Sequence, residues 1–142
     1  MTRVVVDASV LVAAALADGS TRRTLFSLQN LDLYVPSFID IELQKQVRRI
    51  ATRSGTSREI VQALVHGLLA RVTIVPREGC ASTLDLARQL VKRAGAEGDE
   101  DYVALALRLG APIWTYDLDF QRVVGVRTVS RQAVERLDAQ SR

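Results

Sequence analysis

The stretch Arg3 to Val12 opens with a β-branched apolar run that stops on a carboxylate, Asp7, and continues at once into small and apolar residues. Such a run reads as a buried strand, and the small residues after Asp7 read as a helix. A charge therefore stands where strand hands over to helix. In an open parallel α/β sheet that handover lies at the carboxyl edge, where ligands bind in the crevice above the strand ends. Asp7 is accordingly a candidate for chemistry. It is also a candidate helix cap, because Asp and the nearby Ser9 both favour helix starts.

The same alternation continues along the chain. Short apolar strands are expected at 31–35, 72–75, 113–116 and 127–129, with helices at 9–17 and 21–30 and a helix from Ser37 to about residue 54, stopped by Gly55. Further helices are expected from the capping-box spacing Thr56 to Glu59 through about residue 70, at 82–94 before Gly95, at 102–109 before Gly110, and at 131–139 behind Ser130. Strands that alternate with helices build a parallel sheet covered on both faces. The expected fold is a three-layer α/β/α sandwich with about five parallel strands, in one domain spanning all 142 residues.

Composition narrows the possibilities without choosing among them. Apolar residues at 48% and charged residues at 25% are ordinary for a globular chain and argue against disorder. No apolar run reaches the ~18 residues of a membrane span, and no signal-peptide pattern opens the chain, so no membrane role and a cytoplasmic address are expected. Cys80 is the only cysteine, which excludes an internal disulfide and a cysteine zinc cluster; it reads as a small buried residue. His66 has no His or Cys neighbour and is given no role. The net charge of +3 is carried by arginines, with Lys45 and Lys92 the only lysines. Arginine suits bidentate phosphate contacts, but a balance this modest is only compatible with nucleic-acid binding.

Topology gathers four acids. In a parallel α/β layout, helix N-termini and strand C-termini share one edge of the sheet. Asp7 and Asp117 end strands, while Glu42 and Asp99 fall in the first turns of helices that start at that edge. Two carboxylates ~4 Å apart repel by about 4 kcal/mol at an effective dielectric near 20, so four converging acids need compensation. No cation accompanies them in sequence at the strand ends, and proton sharing would be the remaining protein-only solution. An all-oxygen set without His or Cys suits Mg²⁺ or Mn²⁺. Such an ion polarises a phosphoryl oxygen and activates water, and a second ion can stabilise the leaving oxygen, so phosphodiester hydrolysis is the natural reaction.

The chain as a whole resembles the PIN domain, and among PIN domains the small VapC-like toxins of toxin–antitoxin pairs. The resemblance rests on Val5-Val6-Asp7-Ala8-Ser9-Val10-Leu11, on Pro36 followed by Glu42, on Asp99-Glu100-Asp101-Tyr102-Val103-Ala104-Leu105-Ala106, and on Thr115-Tyr116-Asp117-Leu118-Asp119-Phe120. It implies a metal-dependent endoribonuclease whose ion is held by Asp7, Glu42, Asp99 and Asp117, with Ser9 and Thr115 in support. Asp101 could replace Asp99, and Asp119 stands further out than Asp117. The resemblance also implies a homodimer and an antitoxin laid over the acidic pocket. Arg22, Arg23, Arg48, Arg49 and Arg53 are the expected phosphate contacts, because a pocket of acids needs cations at its rim to attract RNA.

Other readings fare worse. A phosphatase of the haloacid-dehalogenase type wants a second acid two residues after the first, where this chain has Ser9. A receiver domain wants a lysine at a late strand end, yet Lys45 and Lys92 fall within helices. A PIN-like module that binds RNA or protein without cutting remains the alternative of a different class, disfavoured because all four acid positions are filled.

Overall fold

Five parallel strands in the order β3-β2-β1-β4-β5 form the centre of the computed structural model, which describes residues 2–141. The strands are β1 (Thr2–Val6), β2 (Leu31–Pro36), β3 (Thr73–Val75), β4 (Ile113–Trp114) and β5 (Thr128–Val129). Winding runs outward from β1 through β2 to β3, then returns across to β4 and β5. The reversal leaves a switch point between β1 and β4, the place where open α/β sheets bind ligands.

Helices α1 (Ala8–Leu16), α2 (Ser20–Ser27), α3 (Phe38–Ser54) and α4 (Arg58–Leu69) form the connections on the outward course and pack on one another. Helices α5 (Ala81–Ala94) and α6 (Glu100–Leu109) form the return, and α6 packs on β1 and β2. Helix α7 (Arg131–Gln140) closes the described chain against α2. The layered α/β/α arrangement expected from the alternation is thus present, and no described helix is long and apolar enough to cross a membrane.

Val4, Val5 and Val6 have no solvent exposure, as expected of a central strand covered on both faces. Burying each contributes about 1.5–3 kcal/mol. Trp114, Tyr102 and Phe120 are the largest fully buried side chains, and the last two meet edge to face at 6.3 Å. This apolar mass lies directly beneath the switch point and fixes the strand ends that carry the acids.

Several boundaries differ from expectation for local reasons. Ser37 occupies the N-cap position of α3 without a side-chain cap bond, and its amide donates to Val75 O at 2.9 Å, extending the β2–β3 ladder. The cap of α4 is Ser57, which accepts from the Ile60 amide, one residue beyond the expected Thr56. Helix α2 ends at Ser27 rather than Asn30, because the Gln29 and Asn30 amides bond to Asp138 of α7. Strand β4 stops at Trp114 rather than Tyr116, since Thr115 and Tyr116 turn toward Asp7 and Ser9. Short 3₁₀ turns at Arg77–Cys80 and Leu118–Arg122 were not expected.

Gly110 ends α6 in the left-handed conformation, φ 62°, with open space around its Cβ position. Gly67 lies inside α4 with equally open space and an ordinary φ. The two glycines should respond to alanine with opposite signs. Gly110→Ala is expected to destabilise by roughly 1–2 kcal/mol, and Gly67→Ala to stabilise by roughly 0.5–1 kcal/mol, measured by urea unfolding.

Candidate active site

Asp7 immediately follows β1, and its amide donates to Trp114 O of β4 at 3.0 Å, which ties it to the switch point. Its carboxylate is 5% exposed and is held through one oxygen, Oδ2. Ser9 Oγ donates to it at 2.6 Å and Thr115 Oγ1 at 2.8 Å. The two hydroxyls also order the opposite strand end: Ser9 Oγ accepts from the Tyr116 amide, and Thr115 Oγ1 from the Asp117 amide. A cap contact from the Ser9 amide to Asp7 is present but long, at 3.4 Å. Burial pushes the Asp7 carboxyl above the usual carboxylate range, against the lowering effect of the Ser9 and Thr115 bonds.

Glu42 projects from the second turn of α3, half-buried, and accepts a 2.6 Å hydrogen bond from the Tyr102 hydroxyl of α6. Burial raises its carboxyl; the Tyr102 bond and Lys45 oppose the rise, while Asp7 and Asp101 add to it. Tyr102 is itself pushed upward by burial and by Glu42, so it stays a neutral donor.

Asp99 stands at the N-cap position of α6, yet its side chain makes no capping bond. Its carboxyl is pushed up to about 7, first by burial and then by the charges of Asp7, Asp117, Glu42 and Asp119. Asp117 follows β4 closely and accepts from the Asp119 amide through Oδ1, leaving its second oxygen without a protein donor among the described residues. The structure therefore brings Asp7, Glu42, Asp99 and Asp117 within electrostatic reach of one another. None of them forms an ion pair among the described residues.

The two substitutes are engaged elsewhere. Asp101 pairs with Arg77 at 3.1 Å, and the more exposed Asp119 pairs with Arg122 at 2.7 Å. Of the arginines, Arg22 turns inward and donates to Ala14 O and Ala15 O at the end of α1. Carbonyls at a helix C-terminus are favourable partners for a cation. Arg23, Arg48, Arg49 and Arg53 are exposed, and Arg49 shares a groove of about 380 Å³ with Ser9 and Glu42. Arg48 lies outside that lining.

Sequence reasoning missed Tyr102, Lys45 and Arg77 as parts of this edge. Tyr102 carried a signal: a phenol hydroxyl in an otherwise apolar buried helix needs a partner. Lys45 and Arg77 carried none, because their roles depend on neighbours distant in sequence.

No three His, Cys, Asp or Glu side chains among the described residues stand close enough to form a finished metal cage. The donor set nevertheless fits a hydrated, hard divalent cation. It is entirely oxygen, its carboxylates raise one another, and Mg²⁺ keeps several waters and needs only one or two direct carboxylates.

A doubly wound α/β protein with an acidic crevice at its switch point is the class that this fold and site define. The sequence model described as "PIN domain" matches residues 5–139, and the chain belongs to that family. No curated protein sequence matches the chain. Solved structures share its fold. VapBC from Salmonella typhimurium, solved bound to DNA, aligns with TM-score 0.72 and 20% identity over 92% of this chain and 99% of that one. VapBC2 from Rickettsia felis, bound to a fragment of its promoter, aligns with TM-score 0.70 and 20% identity over 91% and 98%. PAE2754 from Pyrobaculum aerophilum aligns with TM-score 0.66 and 17% identity over 98% and 88%.

The electrostatics of the crevice have two measurable outcomes. Raising the folded-state pKa of Asp99 lowers stability as pH climbs from the ordinary Asp value toward about 7, because the unfolded chain ionises first. In metal-free protein, Asp99→Asn should therefore raise stability, with a gain that grows across that interval and then levels, as read by urea unfolding at successive pH values. Tyr102→Phe should cost roughly 1.5–3 kcal/mol, because it strips a carboxylate of its hydrogen bond.

Proposed function

We propose that this protein is a metal-dependent endoribonuclease and the toxin member of a toxin–antitoxin pair. The observation that carries the reading is the gathering of Asp7, Glu42, Asp99 and Asp117 at one edge of the sheet, where burial and the neighbouring acids also push Asp99 up to about 7. Among the described residues no cation pairs with Asp7, Glu42, Asp99 or Asp117. An acid cluster of this kind is poised to gain from a divalent cation, and these four acids would hold Mg²⁺ or Mn²⁺.

When bound, the ion supplies Lewis-acid polarisation of a phosphodiester and acidifies water for in-line attack. The chain's own residues do the rest. Ser9 and Thr115 hold one oxygen of Asp7, and no side chain among the described residues donates to the other. Tyr102 fixes Glu42 in the same way from the opposite side. Near neutral pH about half of the metal-free Asp99 is protonated, and loading must displace that proton, so loading strengthens as pH rises through about 7.

Membership of the PIN family and the likeness in fold to the VapBC structures support the nuclease and toxin readings. On the same grounds two copies of the chain pair in solution, and an antitoxin covers the acidic edge. A short reading frame encoding a DNA-binding protein just upstream of the gene would support the toxin role.

Purified protein incubated with RNA and Mn²⁺ should cleave it, and EDTA or Asp7→Asn should abolish cleavage. Asp99→Asn should cost more than the roughly 10–100-fold typical of residues that merely orient a ligand. RNA left intact by the wild-type chain in both Mg²⁺ and Mn²⁺ would contradict the proposal and favour a non-catalytic binding module. Unchanged cleavage by Asp99→Asn would remove that residue from the site.

A further inference from the structure

Lys45, Arg49 and Arg53 succeed one another at intervals of four along α3, and all three are exposed. Residues so spaced share one ridge of a helix, each step advancing about 6 Å along the axis. Two adjoining hollows run beside this ridge. The first, about 380 Å³, takes in Ser9, Glu42, Lys45 and Arg49, and the second, about 90 Å³, takes in Leu16, Arg49, Ile50 and Arg53. Val12, Gln46 and Arg49 belong to both, so the hollows form one trough between α1 and α3. It opens at the acids and ends at Arg53.

The trough is electrostatically one-sided. Glu42, at its mouth, is the only acid in its lining, and none of the three cations forms an ion pair among the described residues. Arg22, Arg77, Arg122 and Arg131, by contrast, are all taken up by carbonyls or carboxylates of the fold. A row of cations that the protein leaves unpaired is complementary to a row of external anions. An extended single strand of nucleic acid spaces its phosphates at about the interval of this row, nearly twice the ~3.4 Å rise per nucleotide in a duplex.

We propose that the α1–α3 trough carries the backbone of single-stranded RNA away from the acidic crevice, with successive phosphates on Lys45, Arg49 and Arg53. That the strand is RNA rests on the nuclease reading above; the track itself rests on the spacing and the unpaired charge. Contacts confined to phosphate position a strand without reading its bases, so the track is indifferent to sequence.

Anisotropy of a labelled single-stranded oligoribonucleotide, titrated in EDTA over a series of KCl concentrations, tests this. Each phosphate contact on a single strand contributes about 0.7 to the slope of log affinity against log salt. The triple variant Lys45→Gln, Arg49→Gln, Arg53→Gln should therefore lose about 2 from the slope, and at 0.1 M salt about 100-fold in affinity. Arg49→Lys with Arg53→Lys should retain the slope, and Arg93→Gln, exposed on α5 and outside the trough, should leave it unchanged. A triple variant that keeps its circular dichroism and an unaltered slope overturns the track, as does one that loses only the binding of a protein partner. Cleavage in Mn²⁺, measured in parallel, separates the two readings: an unaltered slope with cleavage removes the track alone, and a reduced slope without wild-type cleavage removes the nuclease alone.

Discussion

Repulsion among like charges at the β1–β4 switch point is the constraint to which the rest of the structure answers. Asp7 and Asp117 are brought together because β1 and β4 are neighbours in the sheet, and Glu42 and Asp99 because α3 and α6 begin at the same edge. Two carboxylates in contact repel by about 4 kcal/mol at an effective dielectric near 20, against a total stability of about 5–15 kcal/mol for a typical domain. The fold tolerates this by two protein devices. Hydroxyls from Ser9, Thr115 and Tyr102 stabilise the charged forms of Asp7 and Glu42, and Asp99 moves its titration up to about 7. Neither device removes the repulsion, which leaves a cation as its natural complement.

The scaffold beneath the site is correspondingly apolar and close-packed. Tyr102 shows the coupling most directly. Its ring meets Phe120 edge to face within the core, while its hydroxyl reaches Glu42. Phe120 belongs to the 3₁₀ turn just after Asp117, so Tyr102 alone ties α6 to the β4 exit through its ring and to α3 through its hydroxyl. Side chains that must hold position against mutual repulsion are better placed on such a scaffold than on loops.

Much of this is legible in the amino-acid sequence alone. The buried strand before Asp7, the glycine stops at Gly55, Gly95 and Gly110, and the Ser130 cap are local signals, and each is present in the fold. The convergence of the acids is legible for a different reason: the parallel direction of the strands dictates that strand C-termini and helix N-termini share an edge. Matters of long-range partnership escape such reasoning. The Ser37 amide joins the β2–β3 ladder, Arg22 serves the end of α1, and Asp101 belongs to Arg77. A residue's type and spacing do not disclose a partner that only tertiary packing supplies. The trough beside α3 escapes for the same reason, since the ridge that carries Lys45, Arg49 and Arg53 gains its opposite wall only once α1 lies against α3.

The central claim is that the four acids gain stability from a divalent cation that relieves their repulsion. The melting temperature of the purified protein, with and without Mg²⁺ or Mn²⁺ at constant ionic strength, tests that most directly. At pH 8, above the value of about 7 for Asp99, saturating metal at about 100 Kd should add about 2.7 kcal/mol and raise Tm by roughly 5–10 °C. At pH 5, where Asp99 holds its proton, the rise should be markedly smaller. A Tm that ignores both ions at pH 8 would contradict the claim.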